Sequence, residues 1–298
     1  MTSDRGKSLI IVAAGDKSVH EQSFSADEFT DLWIIYYGLD DNVAARYAAG
    51  STRLWRHQGY KFDLVRNLLH ELVFGEKFDF CQYEYVFLPD DDIVLPGGMA
   101  ALHELFSIGR GLGLDAFQPA IQNNYYSHKS TLRVEGDLVH EVTWPEIMMP
   151  VYESRSFVRG FLAALHLFDF SATGWRIEYA AARLAEMELG RKIRCAVIDA
   201  VPAIHTRPTG TDGAMYRRAK IEAFLKLHAH DRPMRTLRHV RIGEALVAWP
   251  DERPSPPDPK RTAKLIRFGH YQRKWAALGR VRFFRRLVDL VSGPPPSA

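Results

Sequence analysis

Residues 85–95, YVFLPDDDIVL, join an apolar run that is typical of a buried strand to three consecutive aspartates. Neighbouring carboxylates repel one another, and burying one without a partner costs several kcal/mol. The three side chains must therefore face water, cap a helix that follows, or hold a cation. Patterns elsewhere in the sequence indicate which of these three alternatives applies.

Strand-like and helix-like runs alternate on both sides of this stretch, which is typical of an α/β domain. Apolar runs predict strands at 8–14, 31–37, 83–89 and 114–120, and a pair of strands within 192–205. Helical spacing or composition predicts helices at 61–75, 97–109, 154–168 and 174–190. We therefore expect a mostly parallel, Rossmann-like sheet flanked by helices.

The size and composition of the chain are those of an ordinary globular protein, with 298 residues, 46% hydrophobic and 25% charged. The early apolar run LIIVAA is too short for a signal peptide, and about 18 consecutive apolar residues occur nowhere. We therefore expect a cytoplasmic protein. Cys81 and Cys195 fit no metal-ligand spacing, so both are predicted to be packing residues.

Charge divides the chain into two unlike parts. Residues 260–286 carry ten Lys or Arg and no acid, whereas the remainder has 29 Lys or Arg against 36 Asp or Glu. Between the parts, 250–259 holds five prolines in ten residues, which predicts an extended linker. We therefore expect a domain at 1–249, a linker at 250–259 and a basic helical tail at 260–298.

The carboxyl ends of parallel strands form the edge where ligands bind in such sheets. Asp90 and Asp92 lie at that edge as a D-x-D pair, close enough together to share one hard divalent cation whose other ligands are phosphate oxygens. Asp16, Asp40 and Asp41 follow the first two predicted strands at the same edge. One of these is expected to meet a nucleobase or ribose, although turn formation also explains each of them.

A strand, a D-x-D pair and a helix within an α/β domain resemble the glycosyltransferases of the A-type fold, which bind a nucleotide-sugar through Mn²⁺ or Mg²⁺. Longer segments at 144–157, 165–183 and 197–208 resemble, in order and spacing, the family named domain of unknown function 707. The resemblance extends over roughly residues 8–210.

The resemblance implies roles for several of these residues. Asp90, with Asp91, would face the donor's ribose or sugar, and Asp92 would bind the metal. His205, after the last core strand, would be a third metal anchor. Lys61 would lie near the nucleotide. A packed core histidine and a solvated lysine at a helix start are the structural alternatives for the last two.

Glu178 lies in Gly-Trp-Arg-Ile-Glu, where the family pattern has Gly-Trp-Gly-x-Asp. The resemblance implies that it is the general base, whereas an ordinary acid in the first turn of a helix is the structural alternative. Glu146 is predicted to contact sugar hydroxyls, because a carboxylate accepts two hydrogen bonds at once. Trp175 is predicted to stack on a sugar ring, unless it packs in the core.

These assignments together predict a metal-dependent and inverting glycosyltransferase. It would move a sugar from a nucleotide-diphosphate donor to a hydroxyl of a glycan or lipid-linked acceptor, in glycan or polysaccharide assembly.

Two other functions fit parts of the sequence. DDDIVL also matches the signature of haloacid-dehalogenase-like phosphatases, in which the first Asp is a nucleophile. That family has the strand near the start of the domain and an acidic pair after a later strand, whereas two strands precede it here and 197–205 supplies only Asp199. A protein that binds a nucleotide-sugar or glycan without turnover is the third reading, and the intact acidic and histidine residues argue against it.

The basic segment 260–286 can form an amphipathic helix with an aromatic face and a basic face. Such a helix binds anionic membrane surfaces, which would place the protein on the inner face of the membrane. The acidic main domain argues against nucleic acid as the partner. Folding of this helix back onto the domain is the structural alternative.

Overall fold

The computed structural model describes residues 6–72, 76, 78–126, 128–167, 177–208 and 234–242. The predicted linker at 250–259 and the basic tail at 260–298 lie outside these residues. The boundary near residue 250 therefore stays a prediction.

The described chain forms one ten-stranded sheet with helices packed against it. The strands are β1 (Ser8–Ala14), β2 (Thr30–Tyr36), β3 (Arg53–Arg56), β4 (Tyr85–Phe87), β5 (Ile93–Val94), β6 (Ala116–Ile121), β7 (Asp137–Val142), β8 (Val151–Glu153), β9 (Cys195–His205) and β10 (Thr236–Arg241). Their order is β10-β7-β9-β6-β8-β4-β1-β2-β3, and β5 pairs with the end of β9 outside this path. The expected α/β class is confirmed.

Parallel pairing joins β3, β2, β1 and β4, and it also joins β6 to β9. Strand β8 runs antiparallel between β4 and β6, while β7 and β10 complete the far side in antiparallel pairing. The ends of β1, β2 and β4 therefore reach the same edge of the sheet. The acidic triplet follows β4 at that edge.

The helices are α1 (Asp41–Gly50), α2 (Lys61–Glu71), α3 (Gly98–Leu112), α4 (Ser154–Ser156), α5 (Ala163–Leu167) and α6 (Ile177–Leu189), and a π-helical segment, Phe157–Leu162, joins α4 to α5. Helix α3 ends at Gly113, which has the left-handed conformation (φ 59°) that favours glycine. Alternate residues of β1 point to opposite faces, with Leu9 and Ile11 in one apolar core and Ile10 and Val12 in the other. Helix α2 covers the first core and α3 the second, so the sheet is a layer between two sets of helices.

Most of the elements predicted from apolar runs are confirmed within one to three residues. The predicted strand pair at 192–205 is wrong, because β9 is a single strand of 11 residues. Its pairing with β6 jumps from Ile198 to Pro202, so three residues bulge out in the middle of the strand. That interruption explains why the sequence reads as two strands.

The two cysteines differ in their surroundings. Cys195 is buried as expected, whereas Cys81 is exposed, so the prediction that both pack in the core is wrong for Cys81. It follows Phe80 in a single short turn, where only the phenylalanine ring reaches the core. Within the described ranges, no helix is long and apolar enough to span a bilayer.

Candidate active site

The acidic triplet is held at the sheet edge by backbone contacts rather than by a helix. The backbone N–H of Asp90 donates to the carbonyl of Met148 at 2.6 Å. Helix α3 has Gly97 as its N-cap, with no side-chain cap hydrogen bond. The alternative that the aspartates cap the following helix is therefore wrong.

Asp92 and His205 meet because two short strand ends pair. Strand β5 runs antiparallel to the end of β9, with Ile93 opposite His205. The carbonyl of Asp92 also accepts hydrogen bonds from the backbone and side chain of Thr206, both at 2.9 Å. As a result, Oδ2 of Asp92 lies 3.2 Å from Nε2 of His205.

The imidazole of His205 is oriented by the loop that follows β6. Its Nδ1 lies 2.9 Å from the carbonyl oxygen of Tyr125, which can only accept, so Nδ1 carries a proton. Asn123 bonds the backbone of the same histidine, with its amide nitrogen 2.6 Å from the His205 carbonyl. Nε2 is therefore the nitrogen that faces the Asp92 carboxylate.

Electrostatics at this pair favour a positive charge. Burial lowers the pKa of His205, but the hydrogen bond and charge of Asp92 and the Tyr125 carbonyl outweigh it, so the pKa is raised. A divalent cation could take the place of the Nε2 proton. Oδ1 of Asp92 is buried and has no hydrogen-bond partner in the described structure, which leaves it available as a ligand.

The residues present therefore fit a divalent cation held by an incomplete protein ligand set. No group of three or more His, Cys, Asp or Glu side chains with the arrangement of a metal site occurs in the described part of the chain. Two protein ligands suffice where phosphate oxygens and water complete the coordination, as is usual for Mg²⁺.

Lys61 opens α2 and reaches Asp90 instead of solvent. Its Nζ lies 2.5 Å from Oδ1 of Asp90 and within 2.9–3.3 Å of the carbonyl oxygens of Leu88, Ile147 and Met148. Its side chain is 13% exposed, so it is not a solvated residue at a helix start. Desolvation nonetheless raises the pKa of Asp90, against the opposing charge of Lys61.

Asp91 turns away from this pair towards β1 and β2. Its Oδ2 accepts hydrogen bonds from the Gly15 backbone at 3.2 Å and from the Tyr37 hydroxyl at 2.9 Å. A Cβ atom at Gly15 would lie 2.6 Å from the Tyr37 ring, so this close approach requires glycine. Asp91 thus ties the triplet to two strand ends, and its contact with a donor stays a prediction.

Asp16 forms a separate polar cluster where β1 and β2 end. It accepts hydrogen bonds from the Tyr36 hydroxyl and from the backbone N–H groups of Leu39 and Asp40, and these contacts lower its pKa. Asp40 is the N-cap of α1, and Asp41 pairs with Arg56 at 2.6 Å. Asp16 thus contacts the end of β2, whereas Asp41 contacts the end of β3.

Glu146 lies two residues before Met148, whose carbonyl accepts the Asp90 N–H, and it is 3% exposed. Its Oε2 accepts the Met148 N–H at 2.8 Å, and its own N–H donates to Oε1 of Gln118 at 2.5 Å. Desolvation raises its pKa to about 7; the Met148 N–H and the charges of Lys61 and His205 oppose this shift, and the charge of Asp90 adds to it. Glu146 thus belongs to the same electrostatic group as the D-x-D pair.

Glu178 lies in the first turn of α6, as predicted, and is buried. Burial raises the pKa of Tyr152, and the charges of Glu178 and Glu146 add to that effect. The neighbouring ring of Tyr179 packs 4.1 Å from that of Trp144. Glu178 and Glu146 therefore both act on the buried hydroxyl of Tyr152. Trp175 lies outside the described residues.

Asp199, the acid of a later strand that a phosphatase site would require, makes structural contacts instead. Asp199 lies in the bulge of β9, where its Oδ2 is 2.7 Å from Nδ1 of the buried His140 and its Oδ1 accepts the Val134 N–H. It supports the sheet and does not face the triplet. This arrangement argues against the phosphatase reading.

Several residues that build the site were not predicted from the sequence. They are Tyr37, Asn123, Tyr125 and Arg207, whose contacts are with the triplet, with His205 or with the loop after β1. All four follow strands that end at this edge, namely β2, β6 and β9, and that is the signal that could have identified them.

Three solved structures have a partly similar chain path. One is a mannosyltransferase from Pyrobaculum calidifontis with GDP-Man and Mn²⁺, at 14% identity, covering 71% of this chain and 59% of that one, with a TM-score of 0.45. Another is S. aureus TarS 1–349 with UDP-GlcNAc, at 9% identity, 68% and 59% coverage and a TM-score of 0.44. The third is GalNAc-T7 with UDP, GalNAc and Mn²⁺, at 8% identity, 69% and 45% coverage and a TM-score of 0.44.

The chain thus spans between 45% and 59% of the length of these neighbours. Their identities to this chain are 14% or less. No family model and no curated protein matches the sequence. The resemblance to the 707 family therefore stays a prediction.

Proposed function

We propose that the protein is a metal-dependent glycosyltransferase of the A-type fold, related to the 707 family, which transfers a sugar from a nucleotide-diphosphate donor. The observation that carries this proposal is the Asp92–His205 pair. Nε2 of the histidine lies 3.2 Å from Oδ2 of Asp92, whose Oδ1 is buried without a hydrogen-bond partner among the described residues. A loop at the carboxyl edge of a parallel sheet is where such a donor would bind.

Each residue of the triplet has its own role in this proposal. Asp92 and His205 would hold Mn²⁺ or Mg²⁺, which when bound supplies positive charge next to the leaving diphosphate. Asp90, fixed by Lys61, would face the donor's ribose or sugar. Asp91 would keep the triplet against β1 and β2, and Asp16 would meet the ribose or nucleobase.

The reaction proceeds by inversion in this proposal. The acceptor hydroxyl oxygen forms a bond to the anomeric carbon while the bond from that carbon to the diphosphate oxygen breaks, and the diphosphate leaves with the electron pair. The carboxylate of Glu178 takes the hydroxyl proton. Glu146 and Trp175 would contact sugar hydroxyls and a sugar ring.

The acceptor would be a hydroxyl of a glycan or lipid-linked saccharide, in glycan or polysaccharide assembly. The basic tail at 260–286 would bring the protein to an anionic membrane surface on the cytoplasmic side.

A thermal-shift panel tests the central proposal. UDP, GDP, ADP, CDP, dTDP and their common sugar conjugates are added with and without Mn²⁺ to the wild type and to Asp92→Asn. We expect one nucleotide to raise the melting temperature only when Mn²⁺ is present, because a bound ligand stabilises the folded state by an amount set by the ratio of its concentration to its Kd. Asp92→Asn should lose this shift. Asp79→Asn is the matched control, because its amide oxygen can still accept the Cys81 N–H.

Equal, metal-independent shifts in the wild type and in Asp92→Asn would contradict the proposal. Release of inorganic phosphate with a phosphorylated Asp90 would identify a phosphatase instead. Donor binding without sugar transfer to any hydroxyl acceptor or to water would favour a binding protein.

A further inference from the structure

Arg207 bridges two loops at the rim of the candidate site. It follows His205 by two residues, and its Nη2 donates to the carbonyl of Lys17, in the loop after β1, at 2.6 Å. Its Nη1 lies 3.9 Å from Oδ1 of Asp91. The guanidinium is therefore placed between the acidic triplet and the loop where the donor's nucleotide would lie.

The position of this guanidinium is set from both sides. In the loop after β1, the Ser18 N–H donates to Gly15, and the hydroxyl of Ser18 and the N–H of Val19 both donate to the carbonyl of Asp91. On the other side, Thr206 bonds the carbonyl of Asp92. Arg207 thus extends from a backbone that is fixed to the same triplet it faces.

The guanidinium keeps donors for a ligand. Arginine has five N–H donors in a planar fork. Among the described residues it makes one hydrogen bond, to Lys17, because 3.9 Å to Asp91 is beyond hydrogen-bond range. The side chain is 44% exposed, so water or a ligand can reach it.

Lys61, the other cation at the triplet, is differently placed. It is 13% exposed, and its three N–H donors are shared among Asp90 and three backbone carbonyls. A phosphate would have to displace those contacts to reach it. No described residue competes in this way for the exposed edge of Arg207, and its fork matches two phosphate oxygens at once.

We propose that Arg207 is a substrate-binding residue that donates to the sugar-side phosphate of the nucleotide diphosphate and stabilises the negative charge this phosphate gains when its bond to the sugar breaks. This inference rests on the proposed glycosyl transfer. It adds a residue that binds the diphosphate directly and that no motif of the sequence identified.

Isothermal calorimetry on the full chain tests this assignment. UDP, GDP, ADP, CDP and dTDP, and the matching monophosphates, are titrated with Mn²⁺ into the wild type, Arg207→Ala, Arg207→Lys and Arg53→Ala. Arg53 is a matched control, because it is 40% exposed and pairs with Glu76 at the opposite end of β3 from the candidate site. Unfolding temperatures without ligand show whether each variant is folded.

We expect Arg207→Ala to weaken binding of the preferred diphosphate about 10–100-fold, the effect of one or two hydrogen bonds to a charged group. Arg207→Lys should recover part of this loss. Monophosphate affinity, Mn²⁺ affinity without nucleotide, and the behaviour of Arg53→Ala should match the wild type, because the lost contact is to the second phosphate.

Four results would overturn the assignment. Unchanged diphosphate affinity in Arg207→Ala would exclude the contact. Equal losses for monophosphate and diphosphate, or a loss of Mn²⁺ affinity, would mean that Arg207 only positions the loops around His205. If the wild type binds none of the five diphosphates with Mn²⁺, the proposed function fails first, and this inference fails with it.

Discussion

The carboxylate of Asp92 lies 3.2 Å from Nε2 of His205, although 112 positions separate the two residues in the chain. The two-residue strand β5 brings them together by pairing antiparallel with the last residues of β9. The Tyr125 carbonyl fixes the proton on the other ring nitrogen. This arrangement directs one imidazole nitrogen and one carboxylate to a common point, which is what a shared cation requires.

Replacing His205 by glutamine should therefore weaken Mn²⁺ binding in the presence of the preferred nucleotide diphosphate by at least about 10-fold. Mutating a residue that only orients a metal ligand already costs about 10–100-fold in metal affinity, and loss of a ligand should cost no less. Loss of the Tyr125 contact should also lower the metal-free stability by about 1 kcal/mol. Calorimetry and urea unfolding measure the two effects. His103→Gln is the matched control, since it breaks a similar pair with Asp27 at 3.0 Å far from the triplet. Equal Mn²⁺ affinity in both variants would remove His205 from the ligand set.

The buried carboxyl group of Glu146 predicts a specific dependence of stability on pH. Its pKa is raised to about 7 in the folded protein from an ordinary value of 4.5, mainly by burial. Between these values the unfolded chain has released the proton and the folded chain still holds it, so stability falls as pH rises through this window. Below the window both states are protonated, and above it both are ionised.

Glu146→Gln should remove this effect while keeping an oxygen that accepts the Met148 N–H. The free energy of unfolding of the variant should gain on that of the wild type as pH rises from 4.5 to 7, by roughly 1.4 kcal/mol for each pH unit at most. Urea unfolding of both metal-free proteins at several pH values measures the difference. A difference that stays constant with pH would show that Glu146 is already ionised at low pH.

Much of the fold follows from local patterns that the sequence displays directly. Strand β1 and helix α2 combine continuous or helically spaced apolar residues with clear ends, and both were predicted closely. Strand β5 has two residues and β8 has three, so neither shows a period of its own. Their existence depends on pairing with distant strands, which no local pattern contains.

Some residues of the candidate site were likewise predictable from local motifs, whereas others depend on contacts between distant parts of the chain. Asp90, Asp92 and His205 were predicted because they end strands and match known motifs, and the structure brings them together. The roles of Asn123 and Tyr125 depend on a loop that meets His205 from about 80 positions away in the chain. The burial of Lys61 against Asp90 likewise follows from how α2 packs on the sheet, not from its own neighbours.

The basic segment 260–286 predicts binding to anionic membranes, because ten bases and no acid can contribute on the order of 1 kcal/mol each near such a surface. Deleting residues 251–298 should abolish sedimentation with vesicles that contain phosphatidylserine and leave nucleotide binding unchanged. Vesicles of phosphatidylcholine alone are the control for charge. Failure of the full chain to sediment with anionic vesicles at moderate salt would exclude the membrane proposal.

The assignment of Glu178 as general base predicts that Glu178→Gln binds donor and Mn²⁺ like the wild type but transfers sugar about 10²–10⁴-fold more slowly, the usual cost of losing such a group. Glu178→Asp should keep part of the activity, because the resembling family has Asp there. Glu146→Gln is the competing variant, since Glu146 lies in the electrostatic group of Asp90 and has a pKa of about 7, which suits a base at neutral pH. Single-turnover rates of sugar transfer by Glu178→Gln and Glu146→Gln show which carboxylate is the base. The anomeric configuration of the product shows whether the reaction inverts. Full activity in Glu178→Gln together with slow transfer in Glu146→Gln would identify Glu146 as the general base. A product that retains the anomeric configuration of the donor would exclude the inverting mechanism for both residues.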